Sequence, residues 1–357
     1  MKNLKKITVT LFVLISTLIM FSACSTTVTV SYLKPAKYDL TQYKNLAIAS
    51  MGVETVPPFS GKMVTVRYDD FEDVLFSGYS RRIASNVAED FTDNLYIDLY
   101  KTSYFNIIKP AITDVYIDSL KFGVNSLDKL RNLGIQALLV SQIDAFNYQE
   151  YPIVGDYKLI VNPAYATDPT QPQYIESTER EVTIMQQAIV SYSYRVVDIN
   201  TGEILASNSF SQTIDNEVDY KDNLVNLPSM ENLYKRALLI GEKQIVKDLS
   251  PQFISTHITL KKNKSGNPYF DAGMNAVNQG ALKVAYDNFN KAWNSADMFE
   301  AGYNSALLLE ALGNRDAAIA RMKEVYNYYS NVDAYNQITR MEKYRYSDDV
   351  AQNQINN

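Results

Sequence analysis

Val196-Val197-Asp198-Ile199-Asn200-Thr201-Gly202-Glu203-Ile204 is the stretch on which the fold assignment rests. Asp198 and Asn200 carry short polar side chains that bond to nearby backbone, and Gly202 admits a positive φ. Asp198–Gly202 therefore reads as a tight turn. Before it, Glu181 to Asp198 reads as a long strand; after it, Ile204 to Ile214 reads as the antiparallel partner.

Upstream, Leu46-Ala47-Ile48-Ala49 is a short apolar run, read as a buried strand. Phe105-Asn106-Ile107-Ile108 is a second strand, stopped at Pro110. Ile135 to Ile143 is almost continuously apolar, as expected for a central strand covered on both faces. Ile83, Val87, Phe91, Leu95 and Leu99 recur every fourth position, flanked by Ala84, Ala88 and Tyr96, which predicts an amphipathic helix. Ser126 caps a second helix with Leu127, Leu130 and Leu133 on one face and Gly134 at its end. Leu233, Ala237, Ile240, Ile245 and Leu249 mark a third, ended by Pro251. The order predicts an α/β (α+β) sandwich with a mixed sheet. Residues 54–79, with Pro57, Pro58, Gly61 and Gly78, read as a long loop with a small hairpin at Met63–Tyr68. Residues 149–180, with Pro152, Gly155, Pro163, Pro169 and Pro172, read as a long excursion, with a hairpin as the alternative.

Lys261 to Pro268 is basic and turn-rich, and beyond it the pattern is purely helical. Gly280, Ala285, Phe289 and Ala292 align with Gly313, Ala318, Met322 and Val325, each pair 33 positions apart. Small residues let paired helices approach closely, and larger apolar ones fill the gap between hairpins. A plain helical bundle is the alternative. Val332–Tyr346 reads as a closing helix.

The N-terminus has the three parts of an export signal. Lys2, Lys5 and Lys6 precede an apolar run, Ile7–Phe21, that is short of the roughly 20 residues a spanning helix needs. Ser22 and Ala23 then precede Cys24, the sole cysteine of the chain. Phe21-Ser22-Ala23-Cys24 resembles the lipobox of bacterial lipoproteins, with Phe21 where Leu is usual. The resemblance implies cleavage before Cys24 and lipid on its sulfur. An ordinary signal peptide or an uncleaved anchor helix is the alternative. Ser25, where some inner-membrane lipoproteins have Asp, favours the outer membrane, facing the periplasm. The domain plan is thus a signal peptide (1–23), tether (24–43), α/β domain (44–258), linker (259–268), helical-repeat domain (269–346) and disordered tail (347–357).

Two further resemblances follow. Gly273, Gly280, Ala285, Phe289 and Ala292, then Ala306, Gly313 and Ala318, stand where tetratricopeptide repeats carry small and aromatic residues. That family's period is one residue longer, and Ala276 and Asp297 replace its common Tyr and Pro. It implies a protein-binding module without chemistry of its own. In the first domain three blocks stand in order. They are Leu46–Ser50 with the helix that follows, Tyr104–Ile108 with Leu133–Ser141, and Val196–Ile204. Together they resemble the curli-secretion (CsgG-like) lipoprotein family. That family's channel inserts two hairpins per subunit, corresponding here to residues 149–185 and 210–232. Glu176, Glu179, Arg180 and Glu181 put charge on both faces of the first, and residues 215–223 are acidic. Charge in hydrocarbon is costly, so both excursions read as solvated loops.

No constellation for catalysis, metal or cofactor emerges, and none is expected. His257 is the only histidine. There is no Gly-rich phosphate loop. Asp69, Asp70, Glu72 and Asp73 lack the spacing of a calcium loop. The Asp198 and Glu203 carboxylates are explained by the turn, and Trp293 by packing. The formal charge is -6, about -9 without the signal lysines, and no basic stripe points to nucleic acid. The expected protein is a non-enzymatic envelope scaffold, anchored at Cys24, binding an envelope protein through its helical repeats, with self-association of the first domain also expected. A secretion-channel subunit and an activator of a cell-wall enzyme are the alternatives.

Overall fold

The computed structural model describes residues 26–52, 65–68, 71–74, 81–118, 126–161, 164, 170, 172–219 and 227–356. The signal segment, Cys24, Asp69 and Asp70 lie outside the described residues. Two compact units result: Ala36–Pro251, and the residues up to Pro35 together with Gln252–Asn356.

The first unit is built on a five-stranded mixed sheet. It contains β2 (Asn45–Ile48), β5 (Asn106–Ile108), β6 (Ala137–Val161), β7 (Tyr174–Asp198) and β8 (Ile204–Asp219), in the order β5-β2-β6-β7-β8. β2 runs parallel to β5 and β6, and β7 is antiparallel to β6 and β8. Helices α1 (Arg81–Lys101) and α4 (Met230–Leu249) pack on one face. Their Val87, Phe91, Leu95, Leu233, Ala237 and Ile245 join Leu46, Ile48, Leu139, Val190, Tyr192 and Val196 of the sheet. On the other face, at the parallel end, Ala47, Leu138 and Ile199 meet Leu130 and Tyr116 of α3 (Ser126–Asn132) and α2 (Pro110–Asp118). Strands covered on both sides need apolar residues on both, which is why β2 and early β6 read as continuous runs. Residues 65–74 form a separate hairpin of β3 (Thr65–Tyr68) and β4 (Phe71–Val74).

The quoted turn forms as read. Asp198 Oδ1 accepts from the Asn200 and Thr201 N–H groups at 2.7 and 3.3 Å, and Gly202 takes φ +78°. The bonds from Asn200 above all hold the Asp198 carboxyl below its ordinary pKa.

Several expectations are corrected. Residues 149–161 and 174–185 are not loops: β6 and β7 stay paired out to Val161↔Tyr174, with register shifts on the way. β8 likewise continues through the acidic positions to Asp219. A ladder is satisfied by backbone groups, so polar side chains on both faces do not end it. Beyond the Gly52↔Gln142 bridge β6 has no neighbour on its β2 side among the described residues. Pro152 therefore sits on an edge, where a missing N–H is tolerated. The strand at Ile107-Ile108 ends before Pro110, as read, and Pro110 also starts α2, because its fixed φ suits a first helical position. Ile240 and Leu133, expected in buried stripes, are exposed.

The second unit pairs β1 (Thr27–Lys34) with β9 (Gln252–Thr259) in register from Thr27↔Thr259 to Lys34↔Gln252. Five helices follow: α5 (Pro268–Asn278), α6 (Leu282–Ala296), α7 (Phe299–Ala311), α8 (Arg315–Tyr329) and α9 (Val332–Asn356). Backbone conformation itself repeats. Gly280 and Gly313 take φ +74° and +82°, and Asp297 and Ser330 take φ +48° and +49°; within each pair the residues are again 33 positions apart. The expected tether is thus a strand from Thr27 onward, because Val28 and Val30 alternate with polar neighbours and are buried. The expected tail, 347–357, is helical to Asn356, because Asp348 and the buried Ala351 and Gln354 are used by the unit. The boundary falls at Gln252 rather than after residue 258, since β9 pairs with β1.

Gly241 marks how closely α4 approaches the sheet: a Cβ there would lie 1.6 Å from Tyr192 Oη. Tyr192 is fully buried and cannot swing away. Gly241→Ala is expected to destabilise the protein by at least the ~1–3 kcal/mol of an overpacked core, read as a lowered denaturant midpoint of the α/β unit.

Candidate interaction surfaces

α7 is the centre of the helical unit, buried from Ala301 through Glu310. Small residues make this possible. A Cβ on Gly302 would meet the Trp293 ring at 2.4 Å, and one on Gly273 the Phe289 ring at 2.8 Å. The predicted packing residues Ala285, Phe289, Ala292 and Ala318 are all fully buried in this core. Gly280 and Gly313 serve differently, as turn residues between helices.

β1 lies against α7 and α9. Its Leu33 N–H donates to Asp348 Oδ1 at 2.6 Å, and Arg315 pairs with Asp348 while donating to Ser31 O at 2.7 Å. Tyr32 stacks on Tyr344 at 3.9 Å. After β9, the buried Asn304 donates through Nδ2 to Lys261 O and accepts from Lys261 N–H, both at 2.8 Å. One side chain thereby serves both backbone groups of Lys261, as a neighbouring strand would. Lys261 Nζ pairs with Asp333. Arg340 forks onto Glu310 at 2.8 and 2.5 Å; the Glu310 side chain is fully buried, so the fork answers a charge that water cannot reach. This face of the helices is therefore occupied by the chain itself. Sequence reading missed Asn304, Glu310 and Gly302, which lie outside the repeat motif.

Tyr328, at the end of α8, and Val332 and Tyr335, at the start of α9, are 62, 67 and 54% exposed. Tyr335 contacts Tyr326 at 5.7 Å and Tyr328 contacts Trp293 at 6.0 Å between ring centroids. Trp293 packs against Tyr328, Tyr329 and Gly302, in accord with its reading as a packing residue.

In the α/β unit a groove of about 240 Å³ between α1 and α4 is lined by Val87, Phe91, Asn94, Lys235, Leu239 and Glu242. Glu242 is buried and shares a hydrogen bond with the Asp98 carboxylate. Burial, then the neighbouring Asp98, push its pKa up to about 8. Lys101, 2.7 Å from Asp98, holds that carboxyl below its ordinary value. Asp248 is by contrast fully engaged, accepting from Tyr194 Oη, Asn208 and Gln244 at 2.9, 3.1 and 2.9 Å. Over β7 and β8 the face opposite the helices carries polar pairs, Ser191 with Ser211 at 3.2 Å and Gln187 with Asp215 at 2.9 Å.

His257 Nδ1 lies 3.1 Å from Thr29 Oγ1 on the exposed side of the ribbon. The Asp198 carboxylate is bonded within its turn and to Tyr43 Oη at 3.2 Å. Among the described residues no group of three His, Cys, Asp or Glu is placed to hold a metal, and no helix is long and apolar enough to cross a membrane.

No protein-family profile matches the sequence, and no curated protein matches it. Among solved structures the chain is similar to a PelC dodecamer from Paraburkholderia phytofirmans, with 8% identity and a TM-score of 0.25, covering 62% of this chain and 97% of that one. It is also similar to the lipoprotein GNA1162 from Neisseria meningitidis, with 12% identity and a TM-score of 0.26, covering 56% of this chain and 96% of that one. At these scores no property of those proteins passes to this chain.

Glu242 makes stability pH-dependent. Its folded pKa stands above the unfolded value, so the native state holds a proton that the unfolded chain releases. That stability is complete below the unfolded carboxylate pKa and is lost as pH rises through about 8. Thermal melts should show a midpoint falling across this window, and Glu242→Gln should flatten the slope.

Proposed function

We propose that the protein is a lipid-anchored, non-enzymatic envelope protein that holds a protein partner near the membrane. The observation that supports this best is the division of labour in the helical unit. β1 lies against α7 and α9, while Tyr328 of α8 and Val332 and Tyr335 of α9 stand exposed. Exposed tyrosines suit protein contacts rather than catalysis. The period of 33 and the resemblance to tetratricopeptide repeats support the same reading. Anchorage rests on the export-like N-terminus ending at Cys24, and acyl chains hold a folded domain at a bilayer. Self-association and an outer-membrane location belong to this proposal.

Cys24→Ala is expected to move the mature protein from the membrane to the soluble fraction. Retention on the membrane without the thiol would refute the anchor. Tyr328→Ser with Tyr335→Ser should then abolish in-cell cross-links to the partner while leaving anchorage intact.

A second reading, a subunit of a secretion channel, has one specific observation in its favour. Beyond β8, which pairs with β7 as far as Thr183↔Asp219, the β6–β7 hairpin continues from Val154↔Val182 to Val161↔Tyr174. That approaches the roughly ten residues per strand that a membrane barrel uses. Conductance of the purified protein in planar bilayers would support it; a silent bilayer with fully inserted protein would dismiss it.

A further inference from the structure

The backbone of β9 presents an unused strand edge. Leu260 N–H donates to Thr26 O at 2.9 Å, so Thr26 and Leu260 form a hydrogen-bonded facing pair. In an antiparallel ladder such pairs alternate with pairs whose backbone groups point away from each other. Along the register, Phe253, Ser255, His257 and Thr259 therefore aim N–H and C=O outward. β1 keeps the same alternation on its own outer edge, where Leu33 N–H meets Asp348 and Ser31 O meets Arg315. Among the described residues no group serves the outward N–H and C=O of β9 in this way, and β1 is the element packed along that strand.

This edge also lacks what keeps an edge from pairing. Proline, charge and irregularity are the usual protections. The free part of β6 carries Pro152 and register shifts. β8 ends in Asp215, Glu217 and Asp219, and its Ser207 carbonyl accepts from Tyr38 Oη at 2.6 Å. β9 reads Gln252-Phe253-Ile254-Ser255-Thr256-His257-Ile258-Thr259, without proline, lysine, arginine or carboxylate, and pairs with β1 without a break in register. Donors and acceptors alternating at this spacing fit an extended chain.

We propose that the outer edge of β9 pairs antiparallel with β9 of a second copy of this chain, forming a closed two-fold dimer. The inference gives a surface to the self-association in the function proposed above and rests on that reading. The edge is complementary to itself. About a two-fold axis at Thr256, Phe253 faces Thr259 of the second copy and Ser255 faces its His257, and each facing pair exchanges both backbone bonds. Phe253, 81% exposed, gains an aromatic–β-branched contact with Thr259 across the strands. No like charges face each other, because His257 is the only titratable residue of the strand. The resulting four-stranded sheet has β1 at both ends, and those edges are already served by Asp348 and Arg315. Pairing therefore consumes the open edge of both copies and stops at two, which a foreign strand on each copy would not require.

The test uses the mature lipidated chain in mild detergent, where light scattering should give the mass of two chains. Ser255→Pro removes an outward N–H from each copy and leaves the bonds to β1 in place. It should raise the dimer dissociation constant by at least about tenfold. Phe253→Lys with Thr259→Lys leaves the backbone intact, sets lysine opposite lysine, and should have the same effect. In a Cys24→Ala background, which frees the chain of native thiols, spin labels read the register. Cα atoms should lie about 9 Å apart at Ser255→Cys and about 21 Å apart at Thr259→Cys. Protein that is monomeric at every concentration would end the self-association reading and this inference together. A dimer that survives both sets of substitutions, or whose labels give other distances, would end this inference and leave self-association to another surface. A photo-crosslinker at position 255 that joins a different protein in cells would assign the edge to a foreign strand and overturn self-pairing.

Discussion

The antiparallel pairing of Thr27–Lys34 with Gln252–Thr259 is the constraint on which the helical unit depends. A two-stranded ribbon is not stable alone in water. Here it is covered: Val28 and Leu260 enter the same core as Phe270, Phe289 and Met322. Side chains of α9 and α8 serve the open edge of β1, with Asp348 on the Leu33 N–H and Arg315 on the Ser31 carbonyl. The ribbon in turn gives α7 something to pack against on the side that α6 and α8 leave open. Strand and helices are mutually required.

Burial of polar groups in this unit follows one rule. Asn304 and Glu310 are buried on the same central helix, and each has a partner that engages both of its side-chain polar atoms. Asn304 exchanges two hydrogen bonds with one residue of backbone, and Glu310 receives both prongs of Arg340. Such groups stabilise a single arrangement of neighbours, because any shift leaves a buried dipole or charge unanswered. Glu242 in the other unit departs from the rule and answers its burial by keeping a proton instead.

Much of the α/β unit was legible because its signals are local. The four-residue spacing from Ile83 to Leu99 is a helix on its face, and the turn at Asp198–Gly202 is written in side chains that bond their own backbone. The 33-residue period showed the helical hairpins through their small residues. What escaped was non-local or chemically silent. Nothing near Thr27 names Thr259 as its partner, and the alternation of Val28 and Val30 was short enough to pass for a tether. The polar stretches of β6 to β8 read as loops because a ladder stabilised by backbone leaves little mark on composition. The closing residues, rich in Asn, Gln and Asp, were expected to be disordered, yet Asp348 holds a strand. Cys24, which decided localisation on paper, lies outside the described residues.

Lys34 and Gln252 are the last pair of the ribbon, so their Cα atoms are about 5 Å apart. Everything from Ala36 to Pro251 leaves and returns through that gap. Topologically the helical unit is a host, and the whole α/β unit is a guest spliced into a hairpin between its two strands. To the host, a guest whose ends meet so closely is equivalent to a tight turn. Closing the ribbon through an unfolded guest would carry the loop entropy of a very long chain. A folded guest that already brings its ends together removes most of that cost. Pairing of the two host strands is thus tied to the folded state of the guest between them.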